Sequence, residues 1–243
     1  MAAPKASVIL AAAGAGRRFA DGGPEAAPAG GKVFAPLAGR PVLAHALEAF
    51  GRVDAVAEVV VAVPADRLDA ARERFGEALD GGRPLVFVAG GDSRSDSVER
   101  ALAAADAGTE LVAIHDAARP LIRPAVIEEA FRVAVEDGAA VVGRPVDHTI
   151  KMVDADGRVT ETVPRRALWM AQTPQVFRRE IITQAYARRG DVVGRVTDDA
   201  QLVEALGRPV RMVHGDGANL KITTPEDLRA CEALLAAGWP FEE

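Results

Sequence analysis

The stretch Ala6-Ser7-Val8-Ile9-Leu10-Ala11-Ala12-Ala13-Gly14-Ala15-Gly16-Arg17-Arg18 decides the fold. Its apolar core is too short for an amphipathic helix and lacks the polar alternation of a half-exposed strand. It therefore reads as a strand buried on both faces. The run enters Gly14 and Gly16 directly, where absent side chains let backbone N–H groups approach an anion and Arg17 and Arg18 supply countercharge. A tight strand exit is the bland reading of the same residues. Moving outward, Glu58–Val63, Leu85–Ala89, Leu111–His115 and Ala139–Val142 repeat the buried-strand pattern. Between them, Pro41–Phe50, Ala65–Leu79, Ser95–Ala105 and Pro124–Asp137 space their apolar residues as helices do. Apolar strands separated by helices imply a three-layer α/β domain with a mostly parallel, open sheet, whose ligand sits at the carboxyl ends of the strands.

After Arg144 the rhythm changes. Ile150–Val153 and Val159–Val163 are short alternating strands joined through Asp156-Gly157, a hairpin signal. Such a hairpin is either a projecting interaction arm or an ornament on the sheet edge. The α/β pattern resumes with a strand Leu168–Gln172, helices at Arg179–Arg189 and Asp198–Leu206, a strand Val210–His214 and a closing helix Pro225–Ala236.

The chain has 243 residues, enough for one α/β domain to bury roughly 70–75% of its unfolded surface without a staple. Cys231 is the only cysteine, which excludes a disulfide framework or a cysteine zinc site. No apolar run reaches the ~18–20 residues of a membrane span. The N-terminus reads as a buried first strand rather than a signal peptide, because its short apolar run precedes its arginines. These features predict a cytoplasmic protein. A net charge of −6 argues against nucleic-acid or anionic-membrane partners. Lysine occurs only as Lys5, Lys32, Lys151 and Lys221, against 29 basic residues in all. In a chain that defaults to arginine, each lysine marks a candidate site for a compact charge.

Two familiar phosphate loops are rejected. Gly31-Lys32 is followed by Val33 rather than Ser or Thr, and Phe19 stands where a dinucleotide fingerprint needs its third glycine. Gly90-Gly91-Asp92-Ser93-Arg94-Ser95-Asp96-Ser97 opens a helix; it either caps that helix or reads a base edge, and it is not a serine-hydrolase elbow. His115-Asp116-Ala117-Ala118-Arg119-Pro120 leaves a strand at its carboxyl end, where Asp116 either makes a structural pair with an arginine or suits a ribose or Mg²⁺. Trp169 to Phe177 puts Thr173 at a strand end. Thr197-Asp198-Asp199 reads as a structural N-cap. Thr224 caps the last helix, with Pro225 first in it and Asp227 three residues on. Lys221 lies outside that explanation. The four histidines lack metal-ligand spacing.

Together these segments resemble the 2-C-methyl-D-erythritol 4-phosphate cytidylyltransferase family from Val8 to about Leu228. His-Asp-Ala-Ala-Arg-Pro, Gly-Gly-Asp-x-Arg-x-Asp-Ser and Thr-Pro-Gln-x-Phe, in that order, are jointly specific. The resemblance implies a single, Rossmann-like nucleotidyltransferase domain over residues 1–243, with a hairpin arm at about 146–166 that forms a homodimer. It implies CMP transfer from CTP to methylerythritol phosphate with Mg²⁺. By the same resemblance, Arg18, Lys32 and Lys221 are catalytic. Ala12, Ala13, Gly14, Gly16, Gly91, Asp92, Ser97, Asp116 and Ala117 bind CTP, and Asp116 also faces the metal. Arg119, Thr149, Arg165 and Thr173 contact the acceptor, Thr149 and Arg165 from the other subunit. The family has a short loop before its lysine where this chain has Ala20–Gly31, which predicts a mobile lid that orders on CTP. Another polyol phosphate such as ribitol 5-phosphate as acceptor, and a non-catalytic nucleotide-binding module, are the alternatives.

Overall fold

The computed structural model describes residues 4–14, 19, 31–79, 81–194 and 196–240. The chain begins with β1 (Ala6–Ala11), a small pair β2 (Pro36–Leu37) and β3 (Arg40–Pro41), and α1 (Val42–Gly51). It continues through β4 (Val56–Val63), α2 (Leu68–Phe75), β5 (Leu85–Ala89), α3 (Arg94–Ala104), β6 (Leu111–Asp116), α4 (Pro124–Asp137) and β7 (Ala139–Pro145). The hairpin β8 (Ile150–Val153) and β9 (Val159–Val163) leads to β10 (Trp169–Arg178), α5 (Arg179–Ala187), α6 (Ala200–Ala205), β11 (Arg211–His214) and α7 (Pro225–Ala236).

Seven strands form one sheet in the order β11-β7-β10-β6-β1-β4-β5. β1 is flanked in parallel by β4 and β6, so Leu10 stands beside Val61 and His115. That central position explains its unbroken apolar run. Val8 and Leu10 face a core with Phe50 and Phe131, while Ile9 faces the opposite core with Ile114, Phe177 and Tyr186. Each such fully buried side chain contributes about 1.5–3 kcal/mol. The mostly parallel three-layer architecture is therefore the one the sequence implies.

Some features correct or decide the sequence reading. β10 is ten residues long rather than ending at Gln172, and it runs antiparallel to both β6 and β7. Its pairing with β7 shifts register between Ala171 and Gln175, so Thr173 lies at an interruption inside a strand, not at a strand end. Pro174 has no N–H to give a ladder, which accounts for the break. The helix read at Ala65–Leu79 divides into a 3₁₀ turn, Ala65–Arg67, and α2, which stops at Gly76 with φ of 74°. The hairpin β8–β9 pairs only with itself and forms a separate two-stranded sheet, which excludes the edge-ornament reading.

A third cluster, with Leu37, Val42, Leu121, Ile222 and Cys231, packs beneath α7 and fixes the chain just after Lys221. The capping box read for α7 is present: Thr224 accepts from the Asp227 N–H, and the Asp227 carboxylate accepts from the Thr224 N–H.

Candidate active site

At the carboxyl ends of β1, β5 and β6 a cavity of about 250 Å³ is lined by Ala12, Ala13, Gly14, Lys32, Gly91, Asp92, Ser97, Asp116 and Lys221, with Arg94 and Ala118. Gly91 in this lining and Gly90 before it are there for close approach. A Cβ on Gly90 would stand 2.2 Å from the Ala13 Cβ, and one on Gly91 would stand 2.4 Å from the Asp96 Cβ. The β1 loop and the β5 loop thus interlock with no room for a methyl group. Ser97 is buried and accepts from the Gly91 N–H at 3.0 Å while donating to the Ser93 carbonyl at 2.9 Å. The helix-capping and ligand readings of this segment are both right, for different residues: Ser93 and Asp96 form the capping box of α3, leaving Gly91, Asp92 and Ser97 to line the cavity. The Ser93 and Arg189 hydrogen bonds draw the Asp96 carboxyl down to about 2.

Asp116 ends β6 and is the electrostatic centre. Its Oδ1 accepts from Arg94 Nε at 3.0 Å and its Oδ2 from Lys221 Nζ at 2.6 Å, with Arg119 Nε 4.0 Å away. Burial opposes ionisation, but Arg94, Lys221 and Arg119 overcome it and hold the carboxyl far below the usual range. Lys221 is fixed by its neighbour, because Ile222 is fully buried and its N–H donates to the Ala118 carbonyl at 2.8 Å. The Ile222 carbonyl accepts from Lys32 Nζ at 2.6 Å, so one peptide segment brings both predicted catalytic lysines to the same cavity.

A second cavity of about 250 Å³ shares Arg94, Asp116 and Lys221 with the first and adds Arg119, Gln172, Thr173, Gln175, Thr197 and Asp198. The Thr173 hydroxyl accepts from the Asp116 N–H at 3.0 Å and lies 3.1 Å from His115 Nδ1. His115 Nε2 lies 3.0 Å from the Arg119 carbonyl. One assignment satisfies every group: Nε2–H donates to the carbonyl, and bare Nδ1 accepts the Thr173 proton. Burial depresses the His115 pKa to about 4, in keeping with that neutral ring. Arg119 Nη1 donates to the Asn219 carbonyl at 2.8 Å. Asn219 Nδ2 reaches Gln172 Oε1 and the Thr173 carbonyl, both at 3.0 Å.

Most of the predicted constellation therefore converges. Ala117 is buried and spends its N–H on the Ala11 carbonyl; Ala118 lines the first cavity in its place. Thr149 and Arg165 are exposed on the arm and line neither cavity, and Arg165 Nη1 bonds to the Asp147 carbonyl. Gly16, Arg18 and all but Gly31 of the lid expected at Ala20–Gly31 lie outside the described residues. Thr197-Asp198-Asp199 is only partly a cap, since Asp198 Oδ1 accepts from the Gln201 N–H but Asp199 makes no side-chain cap bond. Gln175 replaces it: its Oε1 accepts from the Asp199 and Ala200 N–H groups at 3.0 and 2.9 Å.

The residues that sequence reasoning missed are Arg94, Asn219 and Gln175. Arg94 had a signal, because a cation in the first turn of a helix opposes the helix dipole and calls for a reason. Gln175 also had one, as a polar residue leading into the buried Val176 and Phe177. Asn219 was visible only as a neighbour of Lys221. Among the described residues no group of three or more His, Cys, Asp or Glu side chains could enclose a metal, and no helix is long and apolar enough to cross a membrane.

The sequence profile of the family described as 2-C-methyl-D-erythritol 4-phosphate cytidylyltransferase matches residues 6–237. A curated protein of that name from Rhodopirellula baltica is 44% identical over 96% of both chains. Another, from Frankia casuarinae, is 44% identical over all of this chain and 86% of its own. Among solved structures, the Thermus thermophilus 2-C-methyl-D-erythritol 4-phosphate cytidylyltransferase superposes with a TM-score of 0.74 at 35% identity, covering 96% of this chain and 99% of that one. The Anaerococcus prevotii 4-diphosphocytidyl-2C-methyl-D-erythritol synthase gives a TM-score of 0.81 at 28% identity, covering 97% and 100%. Matched through its motifs, its sheet and nearly its whole length, the chain belongs to the 2-C-methyl-D-erythritol 4-phosphate cytidylyltransferase family.

Proposed function

We infer that the chain transfers CMP from CTP to 2-C-methyl-D-erythritol 4-phosphate, releasing pyrophosphate. The observation that carries this reading is the meeting of two cavities at Asp116, Arg94 and Lys221, one beside the glycine loops and one beside Arg119 and Thr173. Two substrates can thus approach one cationic wall from either side. A phosphate monoester with a second pKa of about 6 is already largely dianionic at neutral pH, so the acceptor needs no general base. His115 is correspondingly buried, with both ring nitrogens engaged, and burial pushes the Cys231 thiol up to about 12. In the reaction an acceptor phosphate oxygen bonds to the α-phosphorus as the bond to the bridging oxygen breaks and pyrophosphate leaves. The chain's contribution is to align the two phosphates and to balance charge on the α-phosphate and the leaving group. Lys32 and Lys221 serve that purpose, with Arg18 assigned to it by family resemblance. Gly91, Asp92 and Ser97 hold the cytosine, and Arg119 and Thr173 serve the acceptor side.

With Asp116 the one carboxylate shared by both cavities, the residues suit a Mg²⁺ that arrives with the nucleotide, since this ion keeps its waters and takes only one or two carboxylates besides phosphates. Asp116 would hold it by giving up one of the contacts its oxygens make to Arg94 and Lys221, and the bound ion would neutralise phosphate charge. The arm supports a homodimer. Met152, Val153 and Val159 are more than half exposed on a two-stranded sheet, an arrangement only marginally stable in water without a covering surface. Thr149 and Arg165 would then reach the acceptor site of the second copy. A cytoplasmic enzyme made of one nucleotidyltransferase domain and this arm is the consistent picture. Pyrophosphate release from CTP and Mg²⁺, measured with methylerythritol phosphate and with ribitol 5-phosphate in turn, tests the function. Release with ribitol 5-phosphate alone would overturn the acceptor assignment, and release with neither would overturn the activity.

A further inference from the structure

We propose that Asp199 is a positioning residue for this reaction, acting through Arg94 to keep Lys221 on Asp116. The inference rests on the reading of the site given above.

Asp199 is a carboxylate with 1% of its surface exposed, behind the wall shared by the two cavities. Charged groups are almost never so buried unless they are paired, so its partners define its purpose. Helix capping is not that purpose. The start of α6 is served by Gln175 and Asp198, and the Asp199 carboxylate bonds to no backbone N–H. Both of its oxygens are spent elsewhere: Oδ2 accepts from Arg94 Nη1 at 2.7 Å, and Oδ1 accepts from the Tyr186 hydroxyl at 2.5 Å. Tyr186 is itself buried and part of the core under α5. The connected chain is therefore Tyr186, Asp199, Arg94, Asp116 and Lys221.

The consequence follows from the shape of a guanidinium. Arginine prefers to fork two parallel N–H groups onto both oxygens of one carboxylate. Here the fork is split: Nε goes to Asp116 Oδ1 and Nη1 goes to Asp199 Oδ2. That split leaves Asp116 Oδ2 to Lys221, which holds it at 2.6 Å. Without Asp199 to hold Nη1, the guanidinium would gain by turning its Nε–Nη2 edge onto both Asp116 oxygens, and Nη2 would compete with Lys221 for Oδ2. Lys221 would then lose the contact that fixes its ammonium between the two cavities. The sequence gives no hint of this, because Asp199 sits where an N-cap is expected.

The test is the Asp199→Asn variant of the full chain. Its amide keeps the size of the carboxylate but turns an N–H toward Arg94 when its oxygen accepts from Tyr186. A crystal structure should show Arg94 on both oxygens of Asp116 and Lys221 Nζ displaced from Oδ2; Arg94 and Lys221 unmoved would overturn the proposal. In kinetics, kcat should fall by about 10- to 100-fold with the KM for CTP changed much less, as expected when a reacting pair is misaligned rather than unbound. A rise in the KM for CTP at unchanged kcat would overturn it. Arg94→Lys removes the fork, so adding Asp199→Asn to it should cost no further activity, whereas additive losses would refute action through Arg94. Should Asp199→Asn fail to fold, Tyr186→Phe frees Asp199 Oδ1 and should lower kcat in the same sense by a smaller factor; an unchanged kcat in that folded variant would count against the chain of contacts. A wild-type protein inactive on methylerythritol phosphate would retire the functional reading, while the crystal structure of the variant still decides this one.

Discussion

Lowering the pH from 7 to 5 should destabilise the protein through His115, and the size of the effect follows from its surroundings. The ring is fully buried, edge-on to Phe50 at 5.1 Å between centroids, and both nitrogens are committed, one to Thr173 and one to the Arg119 carbonyl. Burial takes its pKa from 6.5 in the unfolded chain to about 4 in the native state. Between those values the unfolded state binds more protons, so stability falls as the pH falls. The loss grows from near zero above pH 7 to about 2 kcal/mol at pH 5, and it levels off at about 3 kcal/mol below pH 4. Protonation also puts a hydrogen on Nδ1 facing the Thr173 hydroxyl, which must then give up its donation to the ring while still accepting from the Asp116 N–H. Urea unfolding at pH 7, 6 and 5 should show the decline in the wild type. His115→Gln retains a neutral donor toward the Arg119 carbonyl and should be less stable at pH 7 but flatter with pH. Equal pH slopes for the two proteins would refute the argument.

Replacing Lys221 by Ala should lower turnover by roughly 10²-fold or more, as loss of a preorganised cation does, while Arg94 still balances Asp116 and the folded state survives; near-normal turnover would remove Lys221 from the chemistry. Lys32→Ala should behave alike, measured by the same pyrophosphate release. Gly90→Ala drives a methyl group into Ala13 and within 3.3 Å of the Val63 carbonyl, and it should cost about 1–3 kcal/mol and weaken CTP binding. Calorimetric titration showing unchanged CTP affinity would contradict the interlocked-loop account. Thr173→Val leaves the buried Asp116 N–H without its acceptor and should destabilise by about 1–3 kcal/mol in urea, with no loss seen if that N–H finds another partner.

The strands were legible because a central parallel strand needs apolar residues on both faces, as β1 and β6 show, and even the edge strand Leu85–Ala89 has the bounds read from its pattern. Pro124 and Gly138 bracket α4, and Thr224 with Pro225 starts α7, because proline and the cap residues act within one turn. The antiparallel direction of β10 was not legible, since it depends on how the chain returns from the arm. Nor was the division of labour around Asp116, whose partners Arg94 and Lys221 lie 22 and 105 residues away. Local rules identified Lys221 only by exclusion, as a rare lysine that no cap or core explained. Arg94 is the converse case: one arginine among many, it carries no compositional signal, and only the fold shows that its guanidinium joins two buried carboxylates.

The cationic site contains its own counterions. Arg94, Arg119 and Lys221 crowd around Asp116, with Lys32 in the adjoining cavity wall. Half-buried cations this close would repel one another if left without a counterion. Asp116 supplies that counterion from the end of a rigid β6, and Asp199 supplies a second from behind, so the ligand-free site can hold its charges in place before substrate arrives. Two phosphorylated substrates bring far more negative charge than two carboxylates do. Their binding would therefore convert a balanced cluster into one where the cations are shared between carboxylates and phosphates. On the proposed assignment of the lysines, the carboxylates are thus as much a part of the phosphate site as the lysines are. Removing either would change where the cations rest before it changed how strongly they attract.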